Sequence, residues 1–186
     1  MRVVIWNIHG AKMSSSAWDY LLDLQPDIAL LQEVGSSPES FTRALAGVCR
    51  TAISKNGKPQ RFGTGVFVKG KIIEETKLSS SQEWINRELD FFKGNLVSCR
   101  VQPTNYHPVT VVSVYSPAWA IHADRLKAVD VSQISPKASG EVFCADTLWA
   151  GLQNGITDHD SWLVGGDFNS SETFDVEWQE RNNRVF

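Results

Sequence analysis

The sequence predicts a layered α/β or α+β sandwich, and three observations carry that expectation. Short apolar strands alternate with amphipathic helices at the start; the middle is a succession of β-rich runs between turn signals; helical spacing then returns before one more apolar run. So uneven a rhythm excludes a barrel of eight identical strand-helix units.

Taken in order, Arg2 to Trp6 is apolar on both faces and carries β-branched residues, as a strand covered on both sides requires. Ser14-Ser15-Ser16 offers N-caps for a helix with Trp18, Leu21, Leu22 and Leu24 on helical spacing, and Pro26 stops it. Ile28 to Leu31 is a second short strand, and Ser36-Ser37-Pro38-Glu39 has the composition of a helix start, predicting a helix over Phe41 to Val48. Asn56-Gly57 and Gly70 then mark turns. Strands are expected near Arg50 to Ser54, Gly65 to Val68, Ile72 to Leu78, Trp84 to Phe91, Leu96 to Val101 and Val109 to Tyr115, as an antiparallel meander. Val142, Ala145, Leu148, Trp149 and Leu152 restore the helical period, Gly155 follows, and Trp162-Leu163-Val164 makes the last strand.

Composition narrows the class. With 186 residues, 42% hydrophobic and 21% charged, the chain can bury a core, and disorder, collagen-like repetition and coiled coil are excluded. Apolar stretches such as Val3 to Trp6 fall far short of the ~18 residues of a membrane span, and the first residues run straight into a strand without a secretory pattern. A cytoplasmic location is therefore expected. Cys49, Cys99 and Cys144 are too few and too scattered for a disulfide framework or a thiolate zinc site, and read as reduced structural thiols. With 18 Lys and Arg against 21 Asp and Glu the net charge is -3, so any contact with nucleic acid must come from a local patch. Without repeats or linker-like shifts, residues 1–186 read as one domain.

Four apolar runs hand over to polar or acidic side chains in the same way. Arg2 to Trp6 gives Asn7, Ile28 to Leu31 gives Gln32-Glu33, Val109 to Val114 gives Tyr115, and Trp162 to Val164 leads through Gly165-Gly166 to Asp167-Phe168-Asn169. A sheet fixes what stands at its strand ends, and ligands of open α/β sheets gather there. Asp167 and Asn169, two residues apart, point to the same side in an extended chain. Glu33 and Asp167 with the amides of Asn7 and Asn169 form a set of hard oxygen ligands suited to Mg²⁺ or Mn²⁺. That chemistry points to phosphoryl transfer.

In order and spacing, Trp6-Asn7, Gln32-Glu33, Tyr115-Ser116-Pro117 and Gly166-Asp167-Phe168-Asn169 closely resemble the motifs of the endonuclease/exonuclease/phosphatase (DNase-I-like) superfamily. The resemblance implies a four-layered sandwich of two mixed β-sheets packed face to face and flanked by helices. It implies that Glu33 is the principal metal-binding carboxylate and that Asn7 helps place metal and phosphate. It implies further that Tyr115 hydrogen-bonds the scissile phosphate, that Asp167 aligns or deprotonates the attacking water, and that Asn169 orients Asp167. The implied activity is metal-dependent phosphodiester hydrolysis, with a nuclease acting on DNA or RNA first in line. A phosphomonoesterase for inositol phosphates or lipid headgroups, and a binding module or inactive fragment, are the alternatives.

The same pattern continues, in the family, through a further aspartate to a final Ser-Asp-His, and the residues between Asn169 and Phe186 match none of it. The expectation is therefore a C-terminally truncated domain with an incomplete second sheet and an exposed edge, which invites a homodimer. Asp158-His159-Asp160 resembles the missing pair, but it precedes the last strand, roughly 20 Å from Asp167 along an extended chain, and reads as a polar turn. His9, two residues beyond Asn7, and Arg125 are candidate substrate contacts. Arg61, Lys69, Lys93, Arg100 and Lys127 read as a solvated face, while Trp84 and Trp119 offer rings for stacking or for packing. Ala118 stands after Pro117, where abasic-site endonucleases usually carry asparagine, which argues against strict abasic-site specificity.

Overall fold

Two four-stranded sheets lie face to face, each with helices on its outer side, in the computed structural model, which describes residues 1–134, 141–156 and 161–169. The first sheet contains β1 (Val3–Asn7), β2 (Ile28–Val34), β3 (Ala46–Ile53) and β4 (Pro59–Val68), in the order β1-β2-β4-β3. The second contains β5 (Gly70–Glu75), β6 (Leu96–Pro103), β7 (Val109–Tyr115) and β8 (Trp162–Asp167), in sequence order. Each sheet joins antiparallel pairs to one parallel pair, β1 with β2 and β7 with β8. A parallel pair needs a long crossover, and helices α1 (Ala17–Asp23) and α4 (Cys144–Gly155) lie within those connections. The expected sandwich of two mixed sheets with flanking helices is the observed fold.

Burial follows the strand period of two. Ile28, Leu30, Val66 and Val68 of the first sheet meet Val97, Cys99, Val101, Val109 and Val111 of the second in the inner core. Ala29, Leu31 and Phe67, from the opposite face, pack under α1 and α2 (Glu39–Ala44) through Trp18, Leu21 and Phe41. Val112 and Val114 likewise carry α3 (Glu83–Phe91) and α4 through Trp84, Ile85, Leu89 and Leu148. Burying a side chain such as Leu30 contributes about 1.5–3 kcal/mol. Among the described residues no helix is long and apolar enough to cross a membrane.

Three expected elements are corrected. Trp84 to Phe91 forms α3 rather than a strand, because its buried residues Trp84, Ile85, Glu88 and Leu89 recur at helical spacing. The helix expected over Phe41 to Val48 stops at Ala44, and Leu45, extended at φ -129° and ψ 128°, leads directly into β3. The meander is divided between two sheets: β4 ends at Val68, β5 begins at Gly70, and Lys69 alone makes the crossing. That crossing is tied down from both sides, since Lys69 N–H donates to Asp27 O (2.9 Å) and Lys69 O accepts from Thr104 N–H (2.8 Å).

Candidate active site

Parallel pairing brings strand C-termini to the same edge, with Asn7 opposite Gln32 in one sheet and Tyr115 opposite Asp167 in the other. With the sheets face to face, these two edges meet. Their approach is close at β1 and β8: a Cβ on Gly165 would lie 2.4 Å from Ile5 Cδ1, so glycine lets the strands come together there without displacing the end of the Ile5 side chain. The two glycines before Asp167 thus admit the protein's own neighbours, since a Cβ on Gly166 would strike Val114 O at 2.0 Å.

Glu33 reaches this edge through a β-bulge. Between Leu31 and Val34 the register against β4 shifts, Leu31 facing Gly65 and Val34 facing Gly63, so β2 carries one extra residue. Leu31 and Val34 consequently share the outer face in spite of their odd spacing, and Glu33 takes a left-handed backbone at φ 52°. His9 (φ 51°) and Asn169 (φ 48°) adopt the same rare conformation, so three of the six non-glycine residues with positive φ among those described belong to this edge. Backbone held this way persists only where its surroundings over-determine it, and such residues cluster at functional sites.

The side chains converge on Asn7. Its Nδ2 donates to Glu33 Oε1 (3.1 Å) and to Asp167 Oδ2 (2.9 Å), while its Oδ1 accepts from His9 N–H (2.9 Å). One amide therefore holds a carboxylate from each sheet. Asp167 is fixed at its other oxygen by Asn169 N–H donating to Oδ1 (3.0 Å), and its backbone O accepts from Ser116 N–H (2.8 Å). Asn169 Nδ2 in turn donates to Ser116 O (2.8 Å), closing the loop after β7 against the loop after β8. His9 Nδ1 stands 3.6 Å from Glu33 Oε2, with its ring almost wholly in solvent.

Tyr115 completes the group, its ring meeting Phe62 edge-on at 5.2 Å. Burial first, then the carboxylates of Glu33 and Asp167, push its hydroxyl above the ordinary value of 10. The phenol consequently stays protonated and remains a donor at neutral and moderately alkaline pH. Because the fold disfavours the ionised form, Tyr115 costs no stability below pH 10, and the fold loses stability as pH rises from 10 through the raised value. In a spectrophotometric titration, tyrosinate absorbance should keep rising above pH 10, and Tyr115→Phe should remove that late component; an unchanged curve would contradict the assignment.

The structure thus brings together Asn7, His9, Glu33, Tyr115, Asp167 and Asn169. Arg125 is committed elsewhere: its guanidinium grips the buried Glu88 carboxylate (2.9 Å) and lies 3.5 Å over the Phe91 ring. Trp84 is buried in the second outer core and Trp119 packs beside it against Phe92. Asp158-His159-Asp160 lies outside the described residues. Sequence reasoning passed over Asn95, fully buried, whose Oδ1 accepts from Ile53 N–H (3.0 Å) while its backbone O accepts from Tyr115 N–H (2.8 Å). An asparagine directly ahead of an apolar strand was the available signal.

Two carboxylates that share the Asn7 amide nitrogen make a sparse and hard donor set. Among the described residues no three His, Cys, Asp or Glu side chains form a cluster ready for a metal. Such a set fits Mg²⁺, which keeps several waters and takes one or two carboxylates, better than it fits metals held in all-protein cages. The family model described as "Endonuclease/Exonuclease/phosphatase family" matches residues 4–182. No curated protein matches the chain.

Proposed function

The chain belongs to the endonuclease/exonuclease/phosphatase family, a family of phosphoester hydrolases in general, and from that membership we propose that it hydrolyses phosphodiester bonds of DNA or RNA with a divalent cation. The observation that carries the reading is the single Asn7 amide bonded to both Glu33 and Asp167, which fixes two carboxylates from opposite sheets at one point. The groups stand half-buried at strand tips, with His9 fully exposed beside them, and so are open to a phosphate that is part of a long chain.

Glu33, held in place by Asn7 Nδ2, would bind Mg²⁺ or Mn²⁺, which when bound offsets the charge of the phosphate oxygens. Asp167 has one donor on each oxygen, and each oxygen keeps a lone pair for the proton of an attacking water. Asn169 and Asn7 keep that carboxylate from rotating away. The Tyr115 hydroxyl, protonated throughout the working range, donates to a phosphate oxygen as negative charge builds on it. Because donors and acceptors are held before substrate arrives, no reorganisation is required at the moment of attack.

The test compares plasmid DNA, single-stranded RNA, bis-p-nitrophenyl phosphate and p-nitrophenyl phosphate with Mg²⁺, Mn²⁺ or EDTA. Diester cleavage should require the cation and stop with EDTA, and oligonucleotide binding should weaken linearly in log–log form with added salt. Preference for the monoester, or cleavage that survives EDTA, would overturn the proposal.

A further inference from the structure

A second polar contact crosses between the sheets directly beneath the carboxylates. Gln32, 1% exposed, donates from Nε2 to Ser113 Oγ at 3.0 Å, and Ser113, 0% exposed, donates back to Leu31 O at 3.4 Å. The path leaves β2 through a side chain, touches β7 and returns to the β2 backbone one residue away. Leu31 is the last residue of regular register before the bulge, and Gln32 and Glu33 are the residues inside it. Leaving a buried amide without a partner is costly, so a glutamine placed in an apolar inter-sheet layer settles where it can be bonded. Here that place is Ser113.

We infer that the Gln32–Ser113 hydrogen bond is a positioning pair: it fixes the bulge in β2 and thereby the left-handed backbone that presents Glu33 to the site. Turning Gln32 inward is one of two ways an extra residue can be accommodated. The other leaves Gln32 outside and slides Glu33 back into the alternation of the strand. Ser113 discriminates between them because it offers a partner only from the inner face, where Val111 packs two residues earlier. The pair touches no reacting atom. Its action is relayed along the backbone: Gln32 O accepts from Ile8 N–H (2.9 Å) and Glu33 O accepts from Gly10 N–H (2.7 Å), so the loop bearing His9 hangs on the same two residues.

Thr64 supplies an internal control. It faces the bulge from β4, is fully buried, and its Oγ1 has no hydrogen-bond partner. Removing that hydroxyl removes nothing that holds Glu33.

The significance of the pair for Glu33 rests on the metal-dependent reading proposed above, so the experiment has one readout that depends on the metal and one that does not. Amide hydrogen exchange is measured on Ser113→Ala, Gln32→Leu and Thr64→Val, and Mn²⁺ affinity is measured by electron paramagnetic resonance on the same proteins and on Glu33→Gln. Ser113→Ala and Gln32→Leu should speed exchange of the Ile8 and Gly10 amides at least tenfold while the α1 amides hold. Both should weaken Mn²⁺ binding by about tenfold, the loss typical of a group that orients a ligand. Thr64→Val should leave both readouts unchanged. Unaltered exchange at Ile8 and Gly10 in a folded Ser113→Ala protein overturns the inference, as does unaltered Mn²⁺ affinity when wild-type binding depends on Glu33. Wild-type Mn²⁺ binding that is absent, or indifferent to Glu33→Gln, overturns the metal-dependent reading instead, and the exchange rates alone then decide whether the pair sets the bulge.

Discussion

Asp167→Asn is expected to lower kcat for phosphodiester hydrolysis by about 10²–10⁴, the range for loss of a positioned general base. Both oxygens of Asp167 accept, one from Asn7 Nδ2 and one from Asn169 N–H, so an amide at this position must turn its NH₂ toward one of these donors. The variant loses the base and one of its two restraints together. Glu33→Gln should cost a comparable factor through the cation, and the two substitutions combined should cost little more than either, as groups acting as a unit do. Stability should move the other way. Two carboxylates bonded to one amide nitrogen repel each other, and Glu33→Gln relieves that repulsion while its amide oxygen still accepts from Asn7 Nδ2, so that variant should melt no lower than the parent without added metal. Hydrolysis rates and thermal melts on the same samples check both halves. Activity within tenfold of wild type would remove Asp167 from the mechanism.

Arg125→Ala should destabilise the protein by about 3–5 kcal/mol, because it strands a carboxylate that is wholly buried. Glu88 lies in the core of the second sheet's outer layer and has two cations for company. Arg125 approaches it at 2.9 Å through both Nε and Nη2, and Arg87, half exposed, stands at 3.4 Å. Arg87 also donates to Arg125 O (2.9 Å), so losing the Arg125 side chain loosens the segment that presents it. The guanidinium covers Phe91, adding a lost stacking contact. At about 2–4 °C per kcal/mol for a chain of this size, the melting point should fall by on the order of 10 °C. Arg125→Ala combined with Glu88→Leu should recover much of that loss, since the unpaired charge is then gone. A drop under about 1 kcal/mol in urea unfolding would mean that Arg87 alone satisfies Glu88.

The strand ends were legible because each apolar run stops at a polar residue whose type the edge requires: Asn7, Tyr115 and Asp167 stand in the last position of their strands. The layered sandwich was legible for a similar reason, since doubly apolar strands need cover on both faces, and the two-sheet frame followed from the family resemblance. Glu33 was identified but not its manner of arrival. A bulge adds one residue without leaving a mark in a run as short as Gln32-Glu33-Val34, and a left-handed backbone has no signature outside glycine and asparagine. The helix α3 escapes a strand-based reading because Trp84, Ile85 and Phe91, at the two ends of the segment Trp84 to Phe91, are residue types that favour strands. The decisive clue was Glu88, which falls on the apolar stripe of a helix and so demands a buried cation; read as a strand, the segment gives Glu88 nothing to explain. Gln32 and Asn95 escaped because their partners, Ser113 and Ile53, are distant in sequence and hold no charge.

The single-residue crossing at Lys69 has a consequence for how the protein is made. Every described strand before it belongs to one sheet and every described strand after it to the other, so the part of the chain synthesised first contains the described pairings of the first sheet and none of the second. Asn7 and Glu33 lie ahead of the crossing, whereas Asp167 is supplied by the last described strand, 160 positions from Asn7. Until that strand docks, the Asn7 amide has only half of its pair. Bringing the two carboxylates together therefore waits on a long-range, slow pairing, and a partly folded chain lacks the Asn7–Asp167 contact during the interval in which its sheets are still exposed.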